Sequence, residues 1–287
     1  MKFIYLADTH IGGSDTEGYR QQPRYLSRIN ELMDCFAGWI ETRNDIDFII
    51  HGGDIVENTT PENISYAAEL FSKLPCPVYA ALGNHDLTVD GSVNCWLDNA
   101  PAFFPGNTVD FSVSHKDIDF HFFTCHWGNK PYFWAPEEEQ IPYLLPSQWE
   151  KLDSRKNKSS NPMVIITRSQ IFGLPSGQTG FAEPLHAPGG EFASVVQEKT
   201  AGLPVILILG AHNHLNMNVE ANGITHVTAS AFTAIPFEFK IFEINDSVLS
   251  MKTIPLSGEV SFRSDYCFDK TFVQGRPIDR SFEKKFK

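Results

Sequence analysis

The 287-residue sequence lacks several features that would define a specialised class of protein. It has no run of roughly 18 apolar residues, which is the length that a membrane-spanning helix needs. Its five cysteines contain no Cys-x-x-Cys pair, which argues against a disulfide framework and favours reduced thiols. Asp8 and His10 interrupt the apolar start too early for a secretory leader. We therefore expect a globular cytoplasmic protein without a membrane segment.

Positive charge is also scarce, with 23 lysines and arginines against 35 aspartates and glutamates and a net charge of -12. Extensive contact with duplex nucleic acid needs many cationic groups facing phosphates, so this class of partner is not expected. A small phosphorylated substrate remains compatible if bound metal neutralises its charge. No feature of the sequence indicates an oligomeric state.

The first third alternates short apolar runs with amphipathic segments. The runs at 3–7, 46–50 and 78–82 are typical of buried strands. The segment 23–42 has helical apolar spacing, and Thr60 followed by Pro61 marks the start of another helix. This alternation predicts a parallel sheet with right-handed crossovers.

The rest of the chain is less regular. The sequence predicts a hairpin of 109–114 with 118–124, strands at 163–167 and 205–209, a helix ending near 200, and strands at 217–220, 224–228, 239–244 and 248–254. We interpret 127–146 as a long loop, slightly favouring a packed surface excursion over a substrate lid. Residues 151–161 are interpreted as an exposed connection. We expect one domain over residues 1–260 and a C-terminal extension over 261–287 to which no element is assigned.

Polar residues follow five of the predicted strands directly: Asp8, His10, Asp54, Asn84, His85, Asp86, Arg168, His212 and His214. In α/β sheets, ligands bind at the edge outside the carboxyl ends of the strands. Alternate residues leaving a strand face the same way, so Asp8 and His10 can point together, and so can His212 and His214. This mixture of carboxylate, imidazole and amide ligands suits Mn, Fe, Zn or Co better than Ca.

The motifs Asp8-Thr-His10, Gly53-Asp54, Gly83-Asn-His-Asp86 and Gly210-Ala-His-Asn-His214 resemble those of the calcineurin-like metallophosphoesterase superfamily. The resemblance covers roughly residues 3 to 254. It implies an α/β fold, a four-layer α-β-β-α sandwich of two mixed sheets, and a site for two divalent metal ions. The first ion would be bound by Asp8, His10, Asp54 and His214. The second would be bound by Asp54 as a bridge, Asn84, His212 and a histidine after the 163–167 strand.

That last position is Arg168, which departs from the family pattern. Arginine stays protonated and offers no lone pair to a metal. Three outcomes are open. The favoured one is a weak or empty second site with Arg168 holding a substrate phosphate oxygen. Alternatively, His126 or His186 replaces the missing ligand, or the chain is a variant with reduced activity.

The resemblance implies hydrolysis of a phosphoester by metal-activated hydroxide, with His85 as the acid, oriented by Asp86. Because Arg168 departs from the family pattern, we expect Asn84 and Arg168 to face the substrate. The Gly-Asn-His-Asp form is similar to bacterial phosphodiesterase-type branches, so a phosphodiester of a nucleotide or another small molecule is preferred. The alternatives are a DNA repair-type nuclease and a weakly active or inactive metal-binding module, the latter because of Arg168. Substrate choice is assigned to the loops 127–146 and 173–190, where Phe133, Trp134 and Phe181 are candidates for stacking on a base.

Overall fold

Two mixed six-stranded sheets form the core of the chain within residues 1–137, 141–156 and 160–286, which the computed structural model describes. The strands are β1 (Lys2–Leu6), β2 (Phe48–His51), β3 (Val78–Ala80), β4 (Phe111–His115), β5 (Ile118–Phe123), β6 (Met163–Thr167), β7 (Val205–Gly210), β8 (Met217–Ala221), β9 (Ile224–Thr228), β10 (Glu238–Asn245), β11 (Val248–Pro255) and β12 (Ser281–Lys285). The helices are α1 (Ile29–Glu41), α2 (Pro61–Ser72), α3 (Ser92–Asn99), α4 (Pro146–Lys156), α5 (Ser176–Thr179), α6 (Phe192–Thr200) and α7 (Pro277–Arg280).

The first sheet has the order β12-β11-β10-β1-β2-β3, and the second has the order β4-β5-β6-β7-β9-β8. In the first, β1, β2 and β3 are parallel and α1 and α2 connect them, which confirms the predicted strand-helix alternation. In the second, β5, β6, β7 and β9 are parallel, while β4 and β8 run antiparallel at its edges. The carboxyl ends of β1, β2, β3, β6 and β7 therefore carry the nine polar residues that follow the predicted strands.

Aromatic side chains hold the layers together. Phe3 of β1 and Phe48 of β2 meet Phe120 of β5 edge to face at 5.3 and 5.1 Å, which joins the two sheets. On the other face of the first sheet, Phe239 of β10 packs against Phe36 of α1 at 4.9 Å. Successive side chains of a strand point to opposite faces, so the first sheet contacts both a helix layer and the second sheet. The predicted α-β-β-α sandwich is confirmed.

The connection predicted over 151–161 is wrong in its first half. Residues 146–156 form α4, because Trp149 and Leu152 are buried in the core and pull this polar segment onto the protein. Residues 157–159 lie outside the described residues, as do residues 138–140 of the predicted loop 127–146. The rest of that loop contains no helix or strand before α4 begins. None of the helices in the described ranges combines the length and apolarity that a bilayer crossing requires.

The C-terminal segment contains a helix and a strand that the sequence does not predict. Its last strand, β12, pairs antiparallel with β11, and α7 precedes it. The strand contains a single aromatic residue, Phe282, among polar and charged residues at a sheet edge, so no apolar run predicts it. Beneath it, the buried Lys240 Nζ donates to Thr253 Oγ1 at 3.0 Å and to the backbone oxygen of Asp279 at 3.1 Å. The boundary at residue 260 stays a prediction.

The buried Lys240 predicts a rise in stability with pH. Burial lowers the pKa of Lys240 to about 7, whereas the unfolded lysine has its ordinary value near 10.5. Between these values the unfolded chain binds a proton that the folded chain does not, so the free energy of unfolding rises by up to about 1.4 kcal/mol per pH unit. We expect the urea midpoint to rise from pH 7 to pH 9, and Lys240→Met to remove most of this rise. An equal rise in both proteins would contradict the assignment, and Lys252→Met, at an exposed lysine on β11, is the control.

Candidate metal centre

Three loops bring together four residues that can hold a metal ion. Asp8, His10, Asp54 and His214 are buried, and one ligand atom from each lies within 4.8 Å of all the others. Nε2 of His214 is 3.0 Å from Oδ1 of Asp8 and 3.3 Å from Nε2 of His10. These are the four residues that the resemblance implies for the first metal.

The same four residues share an unfavourable backbone conformation. Asp8, His10, Asp54 and His214 have φ values of 60°, 45°, 50° and 55°, in the left-handed region that non-glycine residues seldom adopt. His212 does so too, at 69°. Each such residue costs on the order of 1–3 kcal/mol and persists where the surrounding structure imposes it, typically at functional sites. The backbone is therefore bent to aim these side chains at one point.

Two further residues orient the imidazoles. Nδ1 of His10 pairs with Oε2 of Glu57 at 2.8 Å, and Nδ1 of His214 pairs with Oε1 of Gln21 at 2.9 Å. Such partners fix the ring so that the other nitrogen, Nε2, is directed at the metal. Neither residue is predicted from the sequence. Glu57 follows Asp54 by three residues and could have been suspected, whereas nothing marks Gln21 because it approaches His214 only in the folded chain.

The donor atoms fit a transition-metal ion. Both carboxylate oxygens of Asp8 are buried without a hydrogen bond of good geometry, although Nη2 of Arg168 lies 2.6 Å from Oδ1. The Nε2 atoms of His10 and His214 face each other at 3.3 Å. This arrangement is favourable when both nitrogens bind the same cation. Two carboxylates with two imidazoles suit Mn, Fe or Zn.

The second predicted set is assembled differently. Asn84 and His212 do meet, with Oδ1 of Asn84 3.1 Å from Nδ1 of His212. The fully buried Arg168, however, forms an ion pair with Oδ2 of Asp54 as well as with Asp8. Neither His126 nor His186 joins a metal-compatible group among the described residues. The alternative in which one of them replaces the missing ligand is therefore not supported.

The charges around the site keep the carboxyl groups of Asp8 and Asp54 ionised, as cation binding requires. Burial alone would raise the pKa of Asp8, but the Arg168 guanidinium and His214 hold it well below its usual range. Burial likewise opposes ionisation of Asp54, and the charge of Arg168 again lowers its pKa. Burial lowers the pKa of His212 to about 3, so this imidazole is neutral at physiological pH. The site presents two carboxylates and a neutral imidazole beside a permanent cation.

His85 lies at the open side of the cluster. Its backbone N–H donates to Oδ1 of Asp54 at 2.9 Å, and its Nδ1 bonds to the backbone oxygen of Glu57 at 2.9 Å. Its ring is 4.7 Å from that of His10, and its side chain keeps 26% of its exposure. Nε2 is therefore the nitrogen that His85 can present to a substrate.

Asp86 does not orient His85, so this part of the prediction is wrong. Its two oxygens accept backbone N–H groups of Ile55, Val56 and Gly83 at 2.9, 3.0 and 2.8 Å. These amides belong to the loops that follow β2 and β3. Asp86 thus joins the loop of Asp54 to the loop of Asn84, and the backbone of Glu57 takes the place predicted for it beside His85.

Aromatic residues of the 127–146 loop border the centre. Trp127 stacks on His212 at 5.3 Å, and Trp134 lies 5.0 Å from His85, so the loop both packs and forms a wall of the site. A cavity of about 220 Å³ opens beside His212, and its lining includes Gln21, Trp127, Gln170, His186 and Asn213. A second cavity of about 450 Å³ shares His186 and is bordered by the exposed Phe181 with Arg20 and Lys270.

Comparison with known proteins identifies the family and supports the metal centre. The calcineurin-like phosphoesterase family matches residues 1–216. A dimetal phosphatase from Danio rerio superposes with a TM-score of 0.70 at 13% identity, covering 100% of this chain and 99% of that one. GAP50 of Plasmodium gives a TM-score of 0.60 at 14% identity, covering 94% and 90%. A purple acid phosphatase from yellow lupin gives 0.52 at 14% identity, covering 97% and 56%. No curated protein matches the sequence.

These likenesses lie below 25% identity, so they establish the shared fold and no substrate. The family match extends from β1 to two residues beyond His214 and includes every residue of the metal cluster. The family uses divalent metals, and the cluster provides ligands for one. The chain belongs to the calcineurin-like phosphoesterase family.

Proposed function

We propose that the protein hydrolyses phosphodiesters of small molecules at this metal centre. The carrying observation is that the cavity beside His212 has no cationic side chain free to meet a phosphate. Among the described residues, the lining of the cavity beside His212 contains no lysine or arginine, and Arg168 is already paired with Asp8 and Asp54. A phosphomonoester carries close to two negative charges at neutral pH, whereas a diester carries one. The diester is therefore the ester that this site compensates more fully.

The roles of the residues follow from their positions. Asp8, His10, Asp54 and His214 would hold the metal, which we take to be Mn, Fe or Zn. A bound metal supplies Lewis acidity, which acidifies water and neutralises charge on phosphoryl oxygens. His85, whose Nε2 side is accessible, donates a proton to the leaving oxygen, and Asn84 is in position to bond a phosphoryl oxygen. A cytoplasmic location, which the free cysteines support, is part of this proposal.

Two matched chromogenic esters test the proposal. Protein stripped of metal and reloaded with Mn²⁺, Fe²⁺ or Zn²⁺ is assayed with bis(p-nitrophenyl) phosphate and with p-nitrophenyl phosphate. We expect kcat/KM for the diester to exceed that for the monoester by about tenfold or more, the equivalent of 1.4 kcal/mol. A faster monoester reaction would contradict the choice of ester. Turnover of neither ester would favour the metal-binding module, and preferential cleavage of single-stranded DNA would favour the nuclease.

We predict that His85→Ala lowers turnover while metal content is kept. Loss of a positioned proton donor costs typically 10²–10⁴-fold. The loss of turnover should be larger for a substrate with an alkyl leaving group than for one that releases p-nitrophenolate. An alkoxide is the stronger base, so it needs protonation by His85 more in order to leave. Metal analysis of the variant and of His115→Ala, a histidine on the distant β4–β5 hairpin, provides the comparison. An equal fall in metal content and turnover would show that His85 supports the site and does not donate the proton.

A further inference from the structure

We infer that the Arg168 guanidinium takes the place of the second metal ion, so that the centre holds one metal ion per chain and uses arginine as its other cation. The inference rests on the proposed metal-dependent function. It explains why this chain carries the family's ligand set with an arginine at the remaining position.

The position of the guanidinium supports this directly. Arg168 is fully buried, and one nitrogen, Nη2, contacts both the Asp8 and the Asp54 carboxylates. Asp54 is the residue expected to bridge two metals, and the guanidinium already pairs with its Oδ2. Its other oxygen, Oδ1, accepts the backbone N–H of His85. Asp54 therefore has the arginine as its partner on one side and a protein donor on the other.

Close backbone approach holds the arginine in this position. A methyl group added at Gly83 would lie 2.9 Å from Nε of Arg168, and one added at Gly53 would lie 3.0 Å from its Cδ. Both distances are shorter than ordinary carbon contacts. The two glycines thus let the loops after β2 and β3 close tightly around the side chain. Arg168 is packed in place as a structural part of the centre.

The residues at the second metal position are poor ligands for a divalent ion. The two remaining candidates, Asn84 and His212, are neutral and already bond to each other at 3.1 Å. Arginine offers no lone pair, and the family's shared carboxylate is engaged by the guanidinium. Two neutral ligands without a free carboxylate form a weak site for a divalent ion.

Charge balance gives the same result. Two divalent ions and the guanidinium would carry five positive charges against the three carboxylates of Asp8, Asp54 and Glu57. Such an excess in low dielectric is strongly unfavourable. One divalent ion with Arg168 brings three positive charges, which these three carboxylates balance. The observed residues therefore favour one metal.

Two nitrogen atoms of Arg168 are unpaired. Its Nε and Nη1 are buried and have no hydrogen-bond partner. Buried guanidinium donors are normally satisfied, because leaving one unpaired costs about 1–3 kcal/mol or more. The guanidinium keeps its charge at this position, where a second metal would otherwise supply positive charge.

Metal analysis tests the inference without any assay of activity. Wild-type protein and Arg168→His are loaded with Mn²⁺, dialysed to remove weakly bound metal, and measured for Mn per chain and by electron paramagnetic resonance. We expect one Mn²⁺ with the spectrum of an isolated ion in the wild type. Arg168→His should hold two with the spectrum of a coupled pair. Arg43→His, an exposed arginine stacked on Trp39 far from the centre, should behave as the wild type does.

Two tightly held ions in the wild type, or none, would overturn the inference, as would a folded Arg168→His that still holds one. If Arg168→His fails to fold, the wild-type measurement decides alone, and Arg168→Gln, neutral and shorter, provides a second variant. One ion bound without diester hydrolysis would remove the proposed function and leave this inference standing. Two ions bound with rapid hydrolysis would do the reverse.

Discussion

Replacing Asp54 with alanine is expected to remove the proposed phosphodiester hydrolysis together with metal binding. Asp54 is the residue on which three parts of the centre meet. It contributes an oxygen to the metal cluster, pairs with Arg168 through Oδ2, and accepts the backbone N–H of His85 through Oδ1. A metal acting as a Lewis acid is worth several kcal/mol of transition-state stabilisation. The fall in kcat/KM should therefore be roughly 10³-fold or more.

A conservative variant separates loss of charge from loss of shape. Asp54→Asn keeps the side-chain volume and one oxygen that can accept from His85, but it removes the negative charge that attracts both the metal and Arg168. It should lose metal almost as completely as Asp54→Ala while retaining more of the native thermal stability. Asp117→Asn, at an exposed carboxylate in the hairpin between β4 and β5, is the matched control and should change neither property. Hydrolysis by Asp54→Ala within tenfold of the wild type would show that the centre is not the site of reaction.

Removing residues 261–287 is expected to destabilise the whole protein, although the sequence suggests an appendage. Glu238 is buried in the first sheet and pairs with Arg280 of the removed segment. Breaking a buried ion pair by removing one partner costs about 3–5 kcal/mol. Lys240 would also lose its hydrogen bond to Asp279. We expect the truncated chain to melt far below the intact one or to be recovered as aggregate.

The same truncation should weaken metal binding, because the removed segment bonds to residues next to His214 and Gln21. The backbone N–H of Asn216, two residues after His214, donates to the backbone oxygen of Val273 at 2.9 Å. Gln22, next to the Gln21 that orients His214, exchanges two hydrogen bonds with Cys267 at 2.8 Å. Metal affinity measured by titration with a competing chelator should fall in any truncated protein that stays folded.

Two point variants sharpen this expectation. Arg280→Ala removes the partner of the buried Glu238 and should lower the free energy of unfolding by about 3 kcal/mol. Lys284→Ala removes a surface pair with Glu220, 3.8 Å away, and should cost less than about 1 kcal/mol. Similar small effects of both variants and full stability of the truncated chain would show that residues 261–287 are a dispensable extension.

Much of the fold could be read from local patterns. The strands at β1, β2 and β7 are apolar runs that end in polar residues, and α2 begins with a capping threonine and a proline. These signals work because they depend on residues adjacent in the chain. By contrast, α4 is polar on most of its surface and is recruited by Trp149 and Leu152, while β12 forms only because β11 offers an edge to pair with.

The site divides in the same way. The sequence by itself placed Asp8, His10, Asp54 and His214 at the ends of strands, and the resemblance to the family grouped these four around one ion. Only the tertiary structure decided what each polar group does. In the folded chain, Arg168 pairs with Asp54, and Asp86 accepts three backbone N–H groups. Glu57 and Gln21 bond to the Nδ1 atoms of His10 and His214. The physical reason is a difference in precision. Strand order places a residue to within several ångströms. A hydrogen bond or an ion pair needs its two atoms placed to within a few tenths of an ångström, and that placement depends on distant segments that meet in a water-excluded interior.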